Sequence, residues 1–205
     1  MDDGDGSGIL AAHNLRDPRI TGLRNEGKGQ VDARNTGLAQ ASGQIIALLD
    51  DDDWLLEPTH LHRVVRALGA EPALAYRGGY LVYERDGLEL ERFPFDFRAT
   101  PESLRQDNLL LASGVAYPRY FHQELGLFDP EMSDYWDWDW YLRVVAAGYP
   151  LLGLPGRGVA VSLHGANMSY SARLQERQRN LDKLAAKHGL SGVVLKDHRI
   201  IAGAA

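Results

Sequence analysis

Four consecutive aspartates occupy positions 50–53, directly after an apolar run at positions 45–49. The apolar run predicts a fully buried strand, placed centrally in a sheet. In open α/β sheets, ligands bind at the carboxyl end of such strands. Carboxylates this close repel one another unless a cation lies among them, and Mg²⁺ and Mn²⁺ prefer oxygen ligands. The aspartates therefore predict a divalent metal site, and the alternative is a solvated acidic turn.

A calcium loop of the EF-hand type is excluded by the residues that follow. That loop needs an acidic or amide residue at its fifth position, Gly at its sixth and Glu at its twelfth. Counted from Asp50, these positions hold Trp54, Leu55 and Leu61. A loop counted from Asp51 has Leu55 at its fifth position, and one counted from Asp52 has Trp54 at its third position, so both also fail.

Strand and helix patterns alternate along the chain. Helices are predicted at 31–41, 57–68, 137–147 and 171–188, and strands at 45–49, 73–76, 79–83, 88–93, 151–154 and 159–163. The second helix carries an apolar stripe made of Leu61, Val64, Val65 and Leu68. Asp86 and Gly87 predict a hairpin turn. The alternation indicates an α/β sheet with helices on its faces.

The bulk properties indicate an ordinary soluble protein. A chain of 205 residues is long enough for one domain with a sizeable core. The net charge of −6, without a basic block, argues against nucleic-acid binding. The absence of cysteine excludes disulfides and fits a reducing compartment, and no apolar run is long enough to span a membrane. We expect a cytoplasmic protein, either free or peripheral at a membrane.

Several segments, taken together, resemble the family 2 glycosyltransferases with the GT-A fold. The segments are 25–27, 33–37, 43–53 with Pro58, 125–129 and 136–143, and positions 2–4 resemble the family's uridine-side turn. The resemblance implies a GT-A-like mixed sheet with helices on both faces, in a single domain over 1–205. Its donor half would cover about 1–100, its acceptor half about 101–170, and a C-terminal helix about 171–190.

The resemblance assigns roles to the acidic run. The family's DXD pair uses two carboxylates two residues apart, on one face of an extended segment. Asp50 would face the ribose or a water of the cation, with Asp51 beside it in donor binding. Asp52 would ligate Mn²⁺ or Mg²⁺ directly, and a register shifted by one makes Asp53 a second candidate. His164 is a candidate third metal ligand; the alternative is a structural histidine.

Three further residues are candidates for donor binding. Arg34 lies near a helix N-terminus, where a guanidinium would hold a phosphate or order the carboxylates. Its alternative is an exposed helix arginine. By resemblance, Asp2 and Asp3 would accept the N–H of a uracil ring, and their alternative is a frayed acidic terminus.

Asp137 is the candidate catalytic base by resemblance. The family has a Glu-Asp pair where this chain has Trp136 and Asp137, so the base lacks its usual neighbour. The alternatives are a helix N-cap for Asp137 and, for Trp136, either packing or stacking on a sugar. Asp139 lies about 200° further around the predicted helix, so only one of the two aspartates can face a cleft.

The sequence thus predicts a metal-dependent inverting glycosyltransferase that moves a sugar from a UDP- or GDP-sugar to an acceptor hydroxyl. One alternative is an inactive GT-A-like binding or scaffold chain. Another is a sugar nucleotidyltransferase, but the Gly-rich phosphate loop of those enzymes is not found near the N-terminus. The family's first βα unit is not recognised before position 2. Three explanations are open: the reading frame begins late, the chain is a fragment, or the pocket is built differently. A sheet without that strand would expose unpaired backbone groups, which predicts a homo-oligomer or a strand exchange in which another chain covers the edge.

Overall fold

The computed structural model describes residues 17–25, 27–163 and 174–203. Within these ranges the helices are α1 (Gly29–Gln40), α2 (His60–Leu68), α3 (Pro101–Leu104), α4 (Phe121–Leu125), α5 (Trp136–Ala146), α6 (Leu174–His188) and α7 (His198–Ile201). The strands are β1 (Ile45–Ala47), β2 (Trp54–Leu55), β3 (Leu74–Tyr76), β4 (Gly79–Arg85), β5 (Leu88–Phe95), β6 (Val115–Pro118), β7 (Leu151–Gly153) and β8 (Val159–Leu163). Short 3₁₀ segments at Ala112–Gly114 and Pro130–Tyr135 precede β6 and α5.

The strands form two mixed sheets of four strands each. In the first sheet the order is β1-β6-β3-β7, and only the β3–β7 pair is parallel. In the second sheet the order is β2-β8-β4-β5, and only the β4–β8 pair is parallel. Asp86 and Gly87 join β4 to β5 with φ angles of 54° and 75°, so the predicted hairpin is confirmed. The predicted mixed α/β fold is confirmed, with its strands divided between two sheets.

The first sheet has helices on both faces, as predicted. Successive side chains of β3 and β6 alternate between the faces. The large side chains Leu74, Tyr76, Val115 and Tyr117 join the main core, to which α5 contributes all four of its aromatic residues. The small side chains Ala75 and Ala116 face the other way and pack with Val64 and Leu68 of α2.

Two predictions about burial are wrong. β1 is not a fully buried central strand: it ends at Ala47 and lies at the edge of the described sheet, and Leu49 is 51% exposed. The chain leaves the sheet after Leu48, and this departure carries the aspartates away from the sheet. In α2, Leu61 and Val65 are exposed because the helix touches the sheet along only one narrow stripe.

Candidate active site

A cavity of about 550 Å³ lies between the acidic turn, the start of α5 and the C-terminal part of the chain. Its lining includes eight aspartates, at positions 50, 51, 52, 53, 107, 134, 137 and 197. Three cationic side chains also line it, namely Arg34, Arg177 and Lys196. Because acidic groups outnumber basic ones, the cavity repels a diphosphate unless a cation accompanies it.

The four aspartates form a turn, so the predicted extended segment is wrong. The backbone N–H of Asp53 donates to the carbonyl of Asp50 over 3.2 Å. The turn separates the side chains: Asp51 and Asp52 are exposed, whereas Asp50 and Asp53 are partly buried. The four carboxylates therefore have different surroundings despite being adjacent in sequence.

Asp53 is directed into the protein between the two sheets. One carboxylate oxygen accepts the hydroxyl of Ser113 over 2.5 Å, and the other accepts the backbone N–H of Ser162 over 3.0 Å. Burial raises the pKa of Asp53 to about 7, against these two hydrogen bonds, and the charges of Asp50 and Asp52 act with burial. Both oxygens already have protein donors, and a metal-ligand role for Asp53 stays a prediction.

Asp50 is held by Arg34 of α1. One nitrogen of the guanidinium, Nη2, donates to the Asp50 carboxylate, and Nη1 donates to the carbonyl and Oε1 of Gln30 over 3.2 and 3.0 Å. The guanidinium also lies 4.3 Å from the ring centre of Trp136. Of the two functions predicted for Arg34, the structure shows the ordering of a carboxylate. Trp136 is only 4% exposed and serves packing, so stacking on a sugar is not supported.

Two of the sequence segments that carry the resemblance contact each other directly. The side-chain amide of Asn35, next to Arg34, donates to the Phe128 carbonyl over 2.9 Å and accepts the Phe128 N–H over 3.1 Å. The guanidinium of Arg143 donates to the carbonyls of Leu125 and Leu127 over 2.7 and 2.8 Å. These bonds join α1 and α5 through the loop at 125–128, and so fix Arg34 relative to the start of α5.

Asp137 lines the cavity from the first turn of α5. Its Oδ2 accepts the side-chain N–H of Asn108 over 2.8 Å, and its Oδ1 accepts the backbone N–H of Trp138 over 2.8 Å. Burial raises the pKa of Asp137 to about 6, although these hydrogen bonds and the charge of Arg34 act in the opposite direction. The N-cap of α5 is Tyr135, so the N-cap alternative for Asp137 is wrong.

Asp139 has quite different surroundings, although it lies only two residues further along α5. Its side chain is fully buried and is bonded to Arg143 over 3.0 Å, and to Lys187 and His188 over 2.7 Å each. Burial alone would raise the pKa of Asp139, but the bonds from His188 and Lys187 and the charge of Arg143 hold it below its usual range. Only Asp137 lines the cavity, which confirms that one of the two aspartates faces the cleft.

The metal prediction rests on the exposed part of the turn. Asp2, Asp3 and His164 lie outside the described residues. Within 17–25, 27–163 and 174–203, no group of three or more His, Cys, Asp or Glu side chains is placed to hold a metal ion. Mg²⁺ sites often use one or two carboxylates together with substrate phosphates. Asp52 is exposed and lines the cavity, so it fits a cation shared with a diphosphate rather than one enclosed by protein.

Three residues of the site were not predicted from the sequence. Gln30 supports Arg34, Ser113 accepts the Asp50 N–H over 3.0 Å while donating to Asp53, and Asn108 bonds Asp137. Ser113 and Asn108 are distant in sequence from the aspartates that they contact. No spacing rule or local motif identifies them.

Among the helices in the described ranges, none combines the length and the apolar character that a membrane-spanning helix requires.

The chain belongs to glycosyl transferase family 2, because the model of that family matches residues 2–125. Its fold is GT-A-like, a class in which the solved structures discussed below also fall. The chain is 33% identical over 177 residues to the uncharacterized glycosyltransferase YwdF of Bacillus subtilis strain 168. That alignment covers 84% of this chain and 65% of YwdF.

Two solved structures share the fold at low sequence identity. The structure of S. aureus TarS 1–349 in complex with UDP matches with a TM-score of 0.58 and 14% identity, over 89% of this chain and 52% of TarS 1–349. The structure of GalNAc-T7 with UDP, GalNAc and Mn²⁺ matches with a TM-score of 0.58 and 17% identity, over 99% of this chain and 47% of GalNAc-T7. The chain thus spans about half the length of these two proteins.

Proposed function

We propose that this protein transfers a sugar from a nucleotide-diphosphate sugar to an acceptor hydroxyl, with a divalent cation, in a single inverting displacement. The observation that carries the proposal is the shared cavity. One side of it presents the acidic turn ordered by Arg34, and the start of α5 presents Asp137 to the same space. The family membership supports this reading of the two groups.

The donor side of the cavity suits a diphosphate bound with a cation. UDP is present in the TarS and GalNAc-T7 structures, and Mn²⁺ in the latter, which supports a UDP-sugar over a GDP-sugar. Asp52 would hold Mn²⁺ or Mg²⁺, with Asp50 facing the ribose or a water of the cation and Asp51 beside them. When bound, the cation supplies charge neutralisation for the departing diphosphate. His164 as a further ligand, and Asp2 and Asp3 on the uracil, belong to the same proposal.

Asp137 acts on the acceptor. Its carboxylate takes the proton of the acceptor hydroxyl while the hydroxyl oxygen attacks the anomeric carbon. The bond from that carbon to the diphosphate breaks, and the diphosphate leaves with the electron pair. A pKa of about 6 keeps most of Asp137 ionised at neutral pH while leaving it basic enough to accept a proton. Attack from the face opposite the leaving group inverts the anomeric carbon.

Location and assembly stay predictions from the sequence. The predicted location is the cytoplasm, either free or peripheral at a membrane, and the predicted assembly is a homo-oligomer.

A thermal-shift experiment with UDP and GDP tests donor binding. We expect UDP to raise the melting temperature with Mn²⁺ present and to have no effect in EDTA. At 100 times the dissociation constant, a ligand stabilises the folded state by about 2.7 kcal/mol, which is roughly 5–10 °C for a chain of this size. Equal shifts in EDTA would contradict the role of the cation. The absence of any shift would support the scaffold alternative.

Two matched variants test the register of the acidic turn. Asp52→Asn is expected to abolish the Mn²⁺-dependent shift because it removes the exposed ligand. Asp53→Asn is expected to change the melting temperature without ligand but to retain the shift, since both Asp53 oxygens are bonded to protein. The opposite outcome would assign the direct ligand to Asp53.

A further inference from the structure

We propose that Asn108 is the positioning residue of the base, and that its side-chain amide holds the Asp137 carboxylate in place toward the cavity. This inference rests on the proposed function, in which Asp137 takes a proton from the acceptor. In the family that this chain resembles, a glutamate precedes the base, and here that position holds the packed side chain of Trp136. Asn108 reaches the base from a different segment, 29 residues earlier in the chain.

Two hydrogen bonds, one from Asn108 and one from the backbone of Trp138, hold the two oxygens of the Asp137 carboxylate. Asn108 is 9% exposed and lines the cavity, and its Nδ2 donates to Oδ2 of Asp137 over 2.8 Å. The backbone N–H of Trp138 occupies the other oxygen. Both donors are neutral. They orient the group without the strong loss of proton affinity that a bonded cation would cause, so Asp137 remains useful as a base.

The charged and titratable groups around Asp137 come from three places. Arg34 of α1 favours its ionised form and Asp50 of the acidic turn opposes it. Tyr135 and Tyr141 also interact with it, and the pKa of each of these phenols is raised by burial, so both are neutral. In the described part of the chain, Asn108 provides the one side-chain hydrogen bond to Asp137.

The orientation of the amide matches the ionised base. Oδ1 of Asn108 is buried and has no hydrogen-bond partner among the described residues. Rotating the amide would place Oδ1 against Oδ2 of Asp137, and two acceptors repel unless the carboxyl is protonated. A buried oxygen without a donor destabilises a fold. In this arrangement Oδ1 of Asn108 is left without a hydrogen bond, and the N–H group of the amide is directed toward Asp137.

The test is a ¹³C NMR titration of the Asp137 carboxyl, with its signal assigned by its loss in Asp137→Asn. Asn108→Leu removes the donor at nearly constant volume, and we expect the pKa of Asp137 to rise by about one pH unit. The acidic limb of kcat/KM against pH should move upward with it, and kcat should fall about 10-fold to 100-fold with donor binding unchanged. Asn108→Asp keeps the shape and should raise this pKa further, because the two carboxyls would share a proton.

Asn180→Leu is the matched control. Asn180 is 7% exposed, and its Nδ2 donates to Asp134 over 2.5 Å. It therefore forms the same kind of amide–carboxylate pair with a different aspartate of the cavity lining, three residues before Asp137. We expect it to lower the melting temperature and to leave the titration of Asp137 unchanged. The proposal is overturned if the Asn108 variants titrate like the wild type, or if Asn180→Leu moves Asp137 equally. Absence of turnover would count against the proposed function, whereas the titration would still decide the role of Asn108.

Discussion

Asp137 and Asp139 lie two residues apart on α5 and point to different sides of the helix, where their surroundings shift their pKa values in opposite directions. Asp137 faces the cavity, is bonded by neutral donors, and has a raised pKa. Asp139 is fully buried against α6, is bonded by Arg143, Lys187 and His188, and has a lowered pKa. Neutral partners leave a carboxylate able to accept a proton, whereas the cationic partners Arg143 and Lys187 make Asp139 a fixed negative charge.

The largest difference is expected in turnover. Asp137→Asn cannot accept the acceptor's proton, so we expect sugar transfer to fall by at least about 100-fold. Binding of UDP with Mn²⁺, measured by thermal shift, should stay close to that of the wild type. Turnover at the wild-type rate would show that Asp137 is not the base.

Asp139→Asn is expected to act on stability instead. It leaves the cationic groups around the position without a buried anion, and breaking such a network costs about 3 kcal/mol. For a chain of this length that corresponds to a fall in melting temperature of roughly 6–12 °C. Turnover per folded molecule, measured well below that temperature, should remain close to the wild type. A loss of turnover equal to that of Asp137→Asn would remove the distinction between the two aspartates.

The smallest expected effect is a difference in pH dependence: Asp137 should affect kcat/KM, and Asp139 should affect stability at lower pH. Because Asp137 must be ionised, kcat/KM should fall as the pH is lowered through about 6. The pKa of Asp139 is lower in the folded state than in the unfolded chain, so its contribution to stability is complete above about pH 5. That contribution is lost as the pH falls through the folded-state pKa.

The pH dependence of the stability contributed by Asp139 is checked by measuring the melting temperatures of the wild type and Asp139→Asn. Their difference should shrink as the pH falls below about 4, where Asp139 becomes protonated in the wild type. A difference that stays unchanged down to about pH 3 would contradict the ionised state assigned to Asp139.

The sequence predicted much of this arrangement where the signal was local. Helical periodicity placed α5 within one residue at each end, and the angle between successive helix positions separated Asp137 from Asp139. The Ala-Arg-Asn segment identified Arg34, whose contact with Asp50 the structure shows. These features depend on residues that are close in the chain.

The features that were not predicted depend on residues that meet only after folding. Asn108 and His188 lie 29 and 49 residues from the aspartates that they bond. The inward direction of Asp53 depends on Ser113 and Ser162, which belong to other elements. Because the four aspartates are identical in type, the sequence does not indicate which of them will bond to Ser113 and Ser162 after folding.

The anomeric configuration of the first-formed product tests the central claim most directly, namely that one base on α5 drives a direct displacement. The measurement is ¹H NMR of the product during transfer from a UDP-sugar of known configuration, with Mn²⁺ present. A single attack from the face opposite the diphosphate must give the inverted configuration. A product with retained configuration would contradict the proposed role of Asp137.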